Sequence, residues 1–380
     1  MNKVKLFEPV ALRDVTLRNR LIISPMCQYS ATDGYVNDHH IINLGRFAMG
    51  GFGLVIVEAT GVVPEGRITH GDLGIWSDDH IPGLRRLADA VKMYGAVAGI
   101  QIAHAGRRAA SQRPWQGNGM LDERDFQRGE RPWPVVSASD KPYADGWLKP
   151  AALTKATMAE VKQAFVDAAR RSDEAGFDMI GVHSAHGFLL NSFLSPVSND
   201  RMDEYGGDFE GRMRFPLEVV QAVRAAWPQG KPLFVRVSAV DGLREGMPID
   251  DTVVFSRRLK ELGVDIVDCS SGGIAPRYEY PSSYGYQVPY AQKVRSEAGI
   301  GTAAVGLIVN GRQAEAIVAS GQADLVAIGR EALADPNFAL HAQAELGAVD
   351  PEAPFASWPT QVAWWLQGRA AQIRTFSGQS

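Results

Sequence analysis

Eight short apolar runs, each followed by an amphipathic segment, constrain the fold of this 380-residue chain more than any other feature. The runs cover residues 21–26, 53–59, 97–103, 177–183, 232–238, 264–270, 301–307 and 323–330. Their Val, Ile and Leu content is continuous rather than alternating, which predicts strands buried on both faces of a parallel sheet covered by helices. Among the segments between them, Thr157-Met158-Ala159-Glu160 reads as a capping box, with Met158, Val161, Phe165 and Ala168 following on one helical face. Gly176 closes that helix, and Gly95, Gly263, Gly299 and Gly321 stand at the equivalent helix-to-strand juncture, where a left-handed turn ends a helix. Eight such units predict an α/β protein built as a single (β/α)8 TIM barrel rather than a doubly wound sheet, and no G-x-G-x-x-G occurs to mark a dinucleotide-binding turn.

Two segments fall outside this count. Residues 5–20 predict a short N-terminal β-hairpin capping the bottom of the barrel. Residues 107–155, rich in Arg, Trp, Pro, Asp and Gly, form a long loop insertion after strand 3, on the side where barrel loops carry chemistry, and a loop of that length reads as a lid or a subunit contact. One domain over 1–380 accounts for the chain, with the barrel at about 20–346 and a C-terminal tail at 347–380.

The charge balance narrows the partners. A formal net charge of −4, with both signs interspersed, offers neither a basic face for nucleic acid nor a like-charge tail. No run of 18 apolar residues could span a membrane, and Met1-Asn2-Lys3-Val4-Lys5 leads into no apolar signal region, so the expected setting is the cytoplasm and the expected partners are small molecules. Cys27 and Cys269, the two cysteines, cannot build a disulfide framework, a cysteine-bound zinc site or an iron–sulfur cluster.

Chemistry concentrates at the strand ends. The fourth run finishes on His183, and His186 follows three residues on, so two imidazoles share one strand terminus and can hydrogen-bond one electronegative substrate atom. A metal-ligand reading of the pair lacks a third ligand at zinc-site spacing. Ser24-Pro25-Met26-Cys27-Gln28-Tyr29 follows the first run, Glu58-Ala59-Thr60 the second, and Gln101-Ile102-Ala103-His104-Ala105-Gly106-Arg107 the third. Arg236 interrupts an otherwise apolar strand, which is costly unless it meets an anion or an electron-rich ring. Gly306, Gly329 and Arg330 end the last two runs, where barrels bind phosphate through backbone N–H groups. A phosphate grip, a buried arginine, a glutamine amide, a histidine pair and a cysteine at one mouth suit a flat, phosphorylated redox ring such as FMN.

These residues, together with Val57-Glu58-Ala59-Thr60, His183-Ser184-Ala185-His186-Gly187 and Asp203-Glu204-Tyr205-Gly206-Gly207, resemble the Old Yellow Enzyme family of FMN-dependent ene reductases. Cys27 and Tyr29 resemble those of its xenobiotic-reductase-like branch, and the likeness runs from about Leu6 to Leu346. It implies non-covalent FMN held by Ser24, Pro25, Met26, Cys27, Ala59, Gln101 and Arg236, with Gly306, Gly329 and Arg330 on its phosphate. It implies NAD(P)H as hydride donor, and His183 and His186 binding the carbonyl oxygen of an enone or the nicotinamide carboxamide. Tyr29 would close over the substrate, while Cys27 would tune the flavin without acting as a nucleophile. The branch also implies a homodimer or homotetramer in which Trp364, Trp365 or Arg369 completes an active site, often a neighbour's, and no metal.

The pattern breaks at Phe188. The family places tyrosine two residues after the second histidine, where its hydroxyl protonates substrate Cα, and phenylalanine has no proton to donate. Tyr29, a tyrosine of the 278–286 loop, or water would have to replace it. The resemblance therefore implies ping-pong reduction of activated C=C bonds in α,β-unsaturated carbonyl compounds. The alternative is reduction of nitro or nitrate-ester compounds, or oxidation of a saturated substrate or amine.

Overall fold

The computed structural model describes residues 3–280 and 282–376. Eight strands close into one parallel barrel in sequence order: β1 (Leu21–Ile23), β2 (Leu54–Gly61), β3 (Val97–Ala103), β4 (Met179–Ser184), β5 (Leu233–Ser238), β6 (Ile266–Ser270), β7 (Gly301–Ala304) and β8 (Leu325–Ile328). Every residue of β2, β4 and β5 is buried, as two covered faces require.

The strand ends differ from the apolar runs in ways that shape the mouth. β1 stops at Ile23, two residues before Pro25, which has no N–H to give the ladder. β7 stops at Ala304, ahead of Gly306 with its φ of +118°. β2 instead runs on to Gly61 through an irregularity between Val57 and Ala59, so Glu58 and Ala59 lie inside the strand rather than after it. The bulge leaves Glu58 unpaired and sets Ala59 opposite Gln101 of β3.

The outer helices are α1 (Asp38–Met49), α2 (Ile81–Lys92), α3 (Lys155–Glu174), α4 (Phe209–Ala226), α5 (Ile249–Glu261), α6 (Val288–Ala298), α7 (Gly311–Ala319) and α8 (Phe338–Glu345). The cap of α3 corrects the sequence reading. Thr154, not Thr157, is the N-cap: the Thr154 hydroxyl accepts from the Thr157 N–H at 3.2 Å and the Thr157 hydroxyl accepts from the Thr154 N–H at 2.9 Å. A second hydroxyl at N3 does what Glu160 was expected to do, one turn earlier. Met158, Val161, Phe165 and Ala168 are buried as their spacing predicts, each larger side chain contributing about 1.5–3 kcal/mol of burial. Gly176 follows the helix at φ +89°, and the other four juncture glycines share its left-handed sign.

The N-terminal hairpin pairs Val10–Leu12 with Val15–Leu17, and its Leu17 joins a buried cluster with Ile22, Leu54, Met179, Phe234, Ile266 and Leu325. It thereby plugs the end of the barrel at which the strands begin. The insertion between β3 and α3 lies over the opposite end. Arg107 clamps it, donating from Nη2 to the Ile274 carbonyl at 2.6 Å and from Nη1 to the Pro142 carbonyl at 3.2 Å.

The C-terminal helix Thr360–Phe376 has no buried residue, and the segment leading into it lies beside Arg18, Met49, Met93 and Tyr94. The expected tail continues to 380, and its last four residues, like Met1, Asn2 and Pro281, lie outside the described residues. Among the described residues no helix is long and apolar enough to cross a membrane.

Candidate active site

β4 delivers His183 at its end, and the backbone then turns sharply, with His186 at φ +59°. The Ala185 N–H donates to His183 Nδ1 at 3.2 Å, which leaves the proton of a neutral ring on Nε2. His186 Nδ1 stands 3.4 Å from that Nε2, and His186 Nε2 lies 2.8 Å from Ser270 Oγ at the end of β6. When the Ser270 hydroxyl donates to Nε2, His186 carries its proton on Nδ1. Both N–H groups are then free to converge on one acceptor, a tautomer assignment that rests on the hydrogen-bond network. Burial, then the charge of Arg236, holds both imidazoles well below the usual histidine range, so they donate as neutral groups.

Arg236 of β5 faces inward in register with Asp268 of β6. Its Nη1 donates to Ser24 Oγ at 2.8 Å and lies 3.4 Å from Asp268 Oδ2. Its buried Nε has no partner among the described residues. Arg236, Pro25 and His186 line two adjoining cavities. The larger, of about 410 Å³, extends past Ser24, Met26, Tyr286, Gly306, Gly329 and Arg330. The smaller, of about 240 Å³, is bounded by Cys27, Tyr29, Ala59, Gln101, His183 and Phe188. A side chain at position 306 would meet Gln287 within 3.0 Å, and the φ of +118° there favours glycine. An orphaned guanidinium N–H, a polar floor and a glycine-edged cleft leading to Arg330 fit FMN: ring at Arg236 and Gln101, phosphate at Gly306, Gly329 and Arg330.

Cys27 and Tyr29 reach the smaller cavity from a tight segment in which Tyr29 takes φ +50°. Glu58, the bulge residue of β2, holds this segment by accepting the Gln28 N–H at 3.0 Å. Burial raises the Glu58 carboxyl to about 8, and burial raises that of its neighbour Asp72 to about 6. Burial, then the charges of Glu58 and Asp72, pushes the Cys27 thiol well up, which favours the neutral thiol over the thiolate. Burial, then Cys27, likewise raises the Tyr29 hydroxyl.

Phe188 is buried in the wall of the smaller cavity, its ring stacked obliquely on His183. Of the expected site residues, the tail candidates Trp364, Trp365 and Arg369 are not brought to this mouth: all three lie exposed on the C-terminal helix and line neither cavity. Three participants were missed in the sequence. Ser270 is signalled only by its place at a strand end. Glu58 reads from the sequence only as part of a strand-end motif, and its buried role depends on the β2 bulge. Arg108, which also lines the smaller cavity, is masked in the sequence by the neighbouring Arg107. Among the described residues, no group of three or more His, Cys, Asp or Glu side chains is placed to hold a metal ion.

Comparison with known proteins places this geometry. The NADH:flavin oxidoreductase / NADH oxidase family model matches residues 5–348. An NADPH dehydrogenase of Geobacillus thermodenitrificans is 48% identical over 358 residues, covering 93% of this chain and 97% of the relative. Among solved structures, morphinone reductase is 26% identical with a TM-score of 0.73, covering 93% of this chain and 96% of that one. A 2-naphthoyl-CoA reductase complex superposes at a TM-score of 0.79 with 22% identity over 90% of this chain. This chain spans 52% of its length, and at that identity the likeness is one of fold.

Proposed function

The chain belongs to the NADH:flavin oxidoreductase / NADH oxidase family, and from that premise we propose that it is an ene reductase acting on α,β-unsaturated carbonyl compounds with NADPH as hydride donor. It is an oxidoreductase with FMN as cofactor. Arg236 and Gln101 would hold the FMN ring, and the chemistry it would supply when bound is hydride transfer from the nicotinamide to the substrate's Cβ. The observation that carries the reading is the histidine pair, two imidazoles whose facing nitrogens stand 3.4 Å apart and whose N–H groups can meet on one oxygen.

That pair would bind the enone carbonyl and stabilise the negative charge that develops on it as Cβ is reduced. Arg236 would meet the flavin's pyrimidine edge through Nε, and Ser24 and Asp268 keep its guanidinium in place. Cys27, as a neutral thiol, and Tyr29 would line the substrate's path. Gly306, Gly329 and Arg330 would grip the phosphate. A cytoplasmic homodimer or homotetramer is part of the same proposal, and the exposed Trp364, Trp365 and Phe376 of the C-terminal helix favour a subunit contact.

Phe188 favours a second reading, reduction of nitro or nitrate-ester compounds or oxidation of a saturated substrate or amine, none of which draws a proton from that position. Anaerobic stopped-flow separates the two. Enzyme reduced by NADPH is mixed with 2-cyclohexenone or a nitroaromatic, and oxidised enzyme with an amine. The ene-reductase reading expects the enone to reoxidise the flavin with formation of cyclohexanone. Reoxidation by the nitro compound alone, or flavin reduction by the amine, overturns it.

A further inference from the structure

The substrate end of the mouth carries more positive charge than a neutral enone calls for. Two guanidiniums line the smaller cavity, Arg236 and Arg108, and no carboxylate does. Arg236 has Asp268 beside it. Arg108 has no carboxylate partner among the described residues. Its Nη1 donates to the carbonyl oxygens of His186 at 2.7 Å and Gly273 at 3.4 Å. Its guanidinium lies 4.6 Å from the Tyr143 ring and 5.6 Å from the Phe188 ring, so two aromatic faces and two carbonyls fix its position without neutralising it.

A half-buried cation held this way is preorganised for an anion, and a planar guanidinium suits a carboxylate best. The uncharged polar side chains of Ser111, Gln112 and Asn118, all from the insertion, share the same cavity and leave that charge unopposed. Phe188 belongs to the same arrangement. Its ring lies 4.5 Å from that of His183 and 5.6 Å from the Arg108 guanidinium, so a molecule lying along it can touch both the histidine pair and the guanidinium.

We propose that Arg108 is a specificity residue that selects substrates carrying a carboxylate at the end remote from the carbonyl held by His183 and His186, making unsaturated oxo acids the preferred substrate class. This rests on the ene-reductase reading. The other anion that could claim Arg108 is the phosphate of the nicotinamide donor, and the test separates the two.

The holoenzyme, Arg108→Gln and Arg108→Lys are compared on (E)-6-oxohept-4-enoate and its methyl ester, which share an enone insulated from the carboxyl group by two methylenes and differ in charge. The wild type should favour the acid in kcat/KM by about tenfold or more, Arg108→Gln should abolish the preference, and Arg108→Lys should restore part of it. Taking the acid-to-ester ratio cancels general damage from losing the His186 contact. Titrating the oxidised flavin's absorbance with 4-hydroxybenzoate and with methyl 4-hydroxybenzoate gives the same comparison without turnover. Preference for the acid in that titration, with neither enone reduced, sinks the ene-reductase reading and leaves Arg108's role standing. A wild-type ratio within twofold of unity in both assays, or a ratio unchanged in Arg108→Gln, overturns the proposal. So does an Arg108→Gln variant that loses only affinity for NADPH.

Discussion

The ring of Phe188 lies 4.5 Å from that of His183, tilted by 31°, in the position where a hydroxyl would otherwise reach the substrate cavity. Phenylalanine keeps the packing on the histidine and loses the donor. If a proton must reach substrate Cα from water or from Tyr29, delivery should limit the reduction of weakly activated alkenes. Phe188→Tyr should then accelerate those substrates about tenfold or more, equivalent to roughly 1.4 kcal/mol of barrier, with a smaller gain for nitro compounds. Unchanged rates for every alkene, with the new hydroxyl beside Cα in a ligand-bound structure, would mean that proton delivery never limited turnover.

The histidine pair acts as a unit because each ring's free N–H depends on what its other nitrogen does. Either His183→Ala or His186→Ala should abolish the charge-transfer band that phenols give on stacking with the oxidised flavin, since the phenolate loses a charge-assisted hydrogen bond. Ser270→Ala should weaken the same titration less, by about tenfold, because it frees the His186 tautomer without removing the donor. Both rings are held neutral by burial and Arg236, so the KM for a neutral enone should stay flat from pH 5.5 to 7, where an ordinary histidine gains its proton. A KM that titrates in that window would show a charged pair.

Much of this site could be read from the chain because barrel chemistry gathers at strand ends, and several strand ends here announce themselves. His183 closes an apolar run, Arg236 interrupts one, and Gly306 and Gly329 punctuate the last two. The sequence is silent where the signal is geometric. Glu58 looks like part of a motif after a strand until the β2 bulge turns it under the Cys27–Tyr29 segment. Ser270 is one serine in a Ser270–Ser271 pair, and only the closure of β6 beside β5 brings it to His186. The cap of α3 was misread because Thr154 and Thr157 share the hydroxyl chemistry that defines a cap, and the choice depends on which residue leaves the helical conformation. Trp365 was carried by likeness alone, and its helix starts from the far side of the barrel.

Arg236 carries two loads that a double substitution can separate. Arg236→Ala removes the cation beside the flavin ring and should weaken FMN retention by about ten- to a hundredfold. It also leaves the buried Asp268 carboxylate uncompensated, a destabilisation of about 3–5 kcal/mol. Adding Asp268→Asn should recover much of the thermal stability and none of the FMN affinity. Recovery of both would assign Arg236 a purely structural role. Cys27→Ala, by contrast, should shift substrate affinity yet keep turnover, and complete inactivation with flavin still bound would point to covalent catalysis by the thiol.

The Glu58 carboxyl, raised by burial from an ordinary 4.5 to about 8, ties the stability of the Cys27–Tyr29 segment to pH. A raised folded-state value means that the folded protein keeps a proton the unfolded chain releases. The stabilisation from that proton is complete below about pH 4.5, declines as pH rises, and is lost once pH passes about 8. Over the whole window it amounts to something on the order of 5 kcal/mol. Asp72, raised to about 6, adds a decline of the same sign at lower pH. Glu58→Gln keeps an Oε1 to accept the Gln28 N–H and carries no charge at any pH, so it removes the first decline and leaves the second. The melting temperature of the holoenzyme, followed by release of flavin fluorescence, should therefore fall more steeply between pH 6 and 9 in the wild type than in Glu58→Gln, with the variant ahead at pH 9. Parallel curves would mean that Glu58 ionises freely and that its buried carboxylate is stabilised by the Gln28 backbone after all.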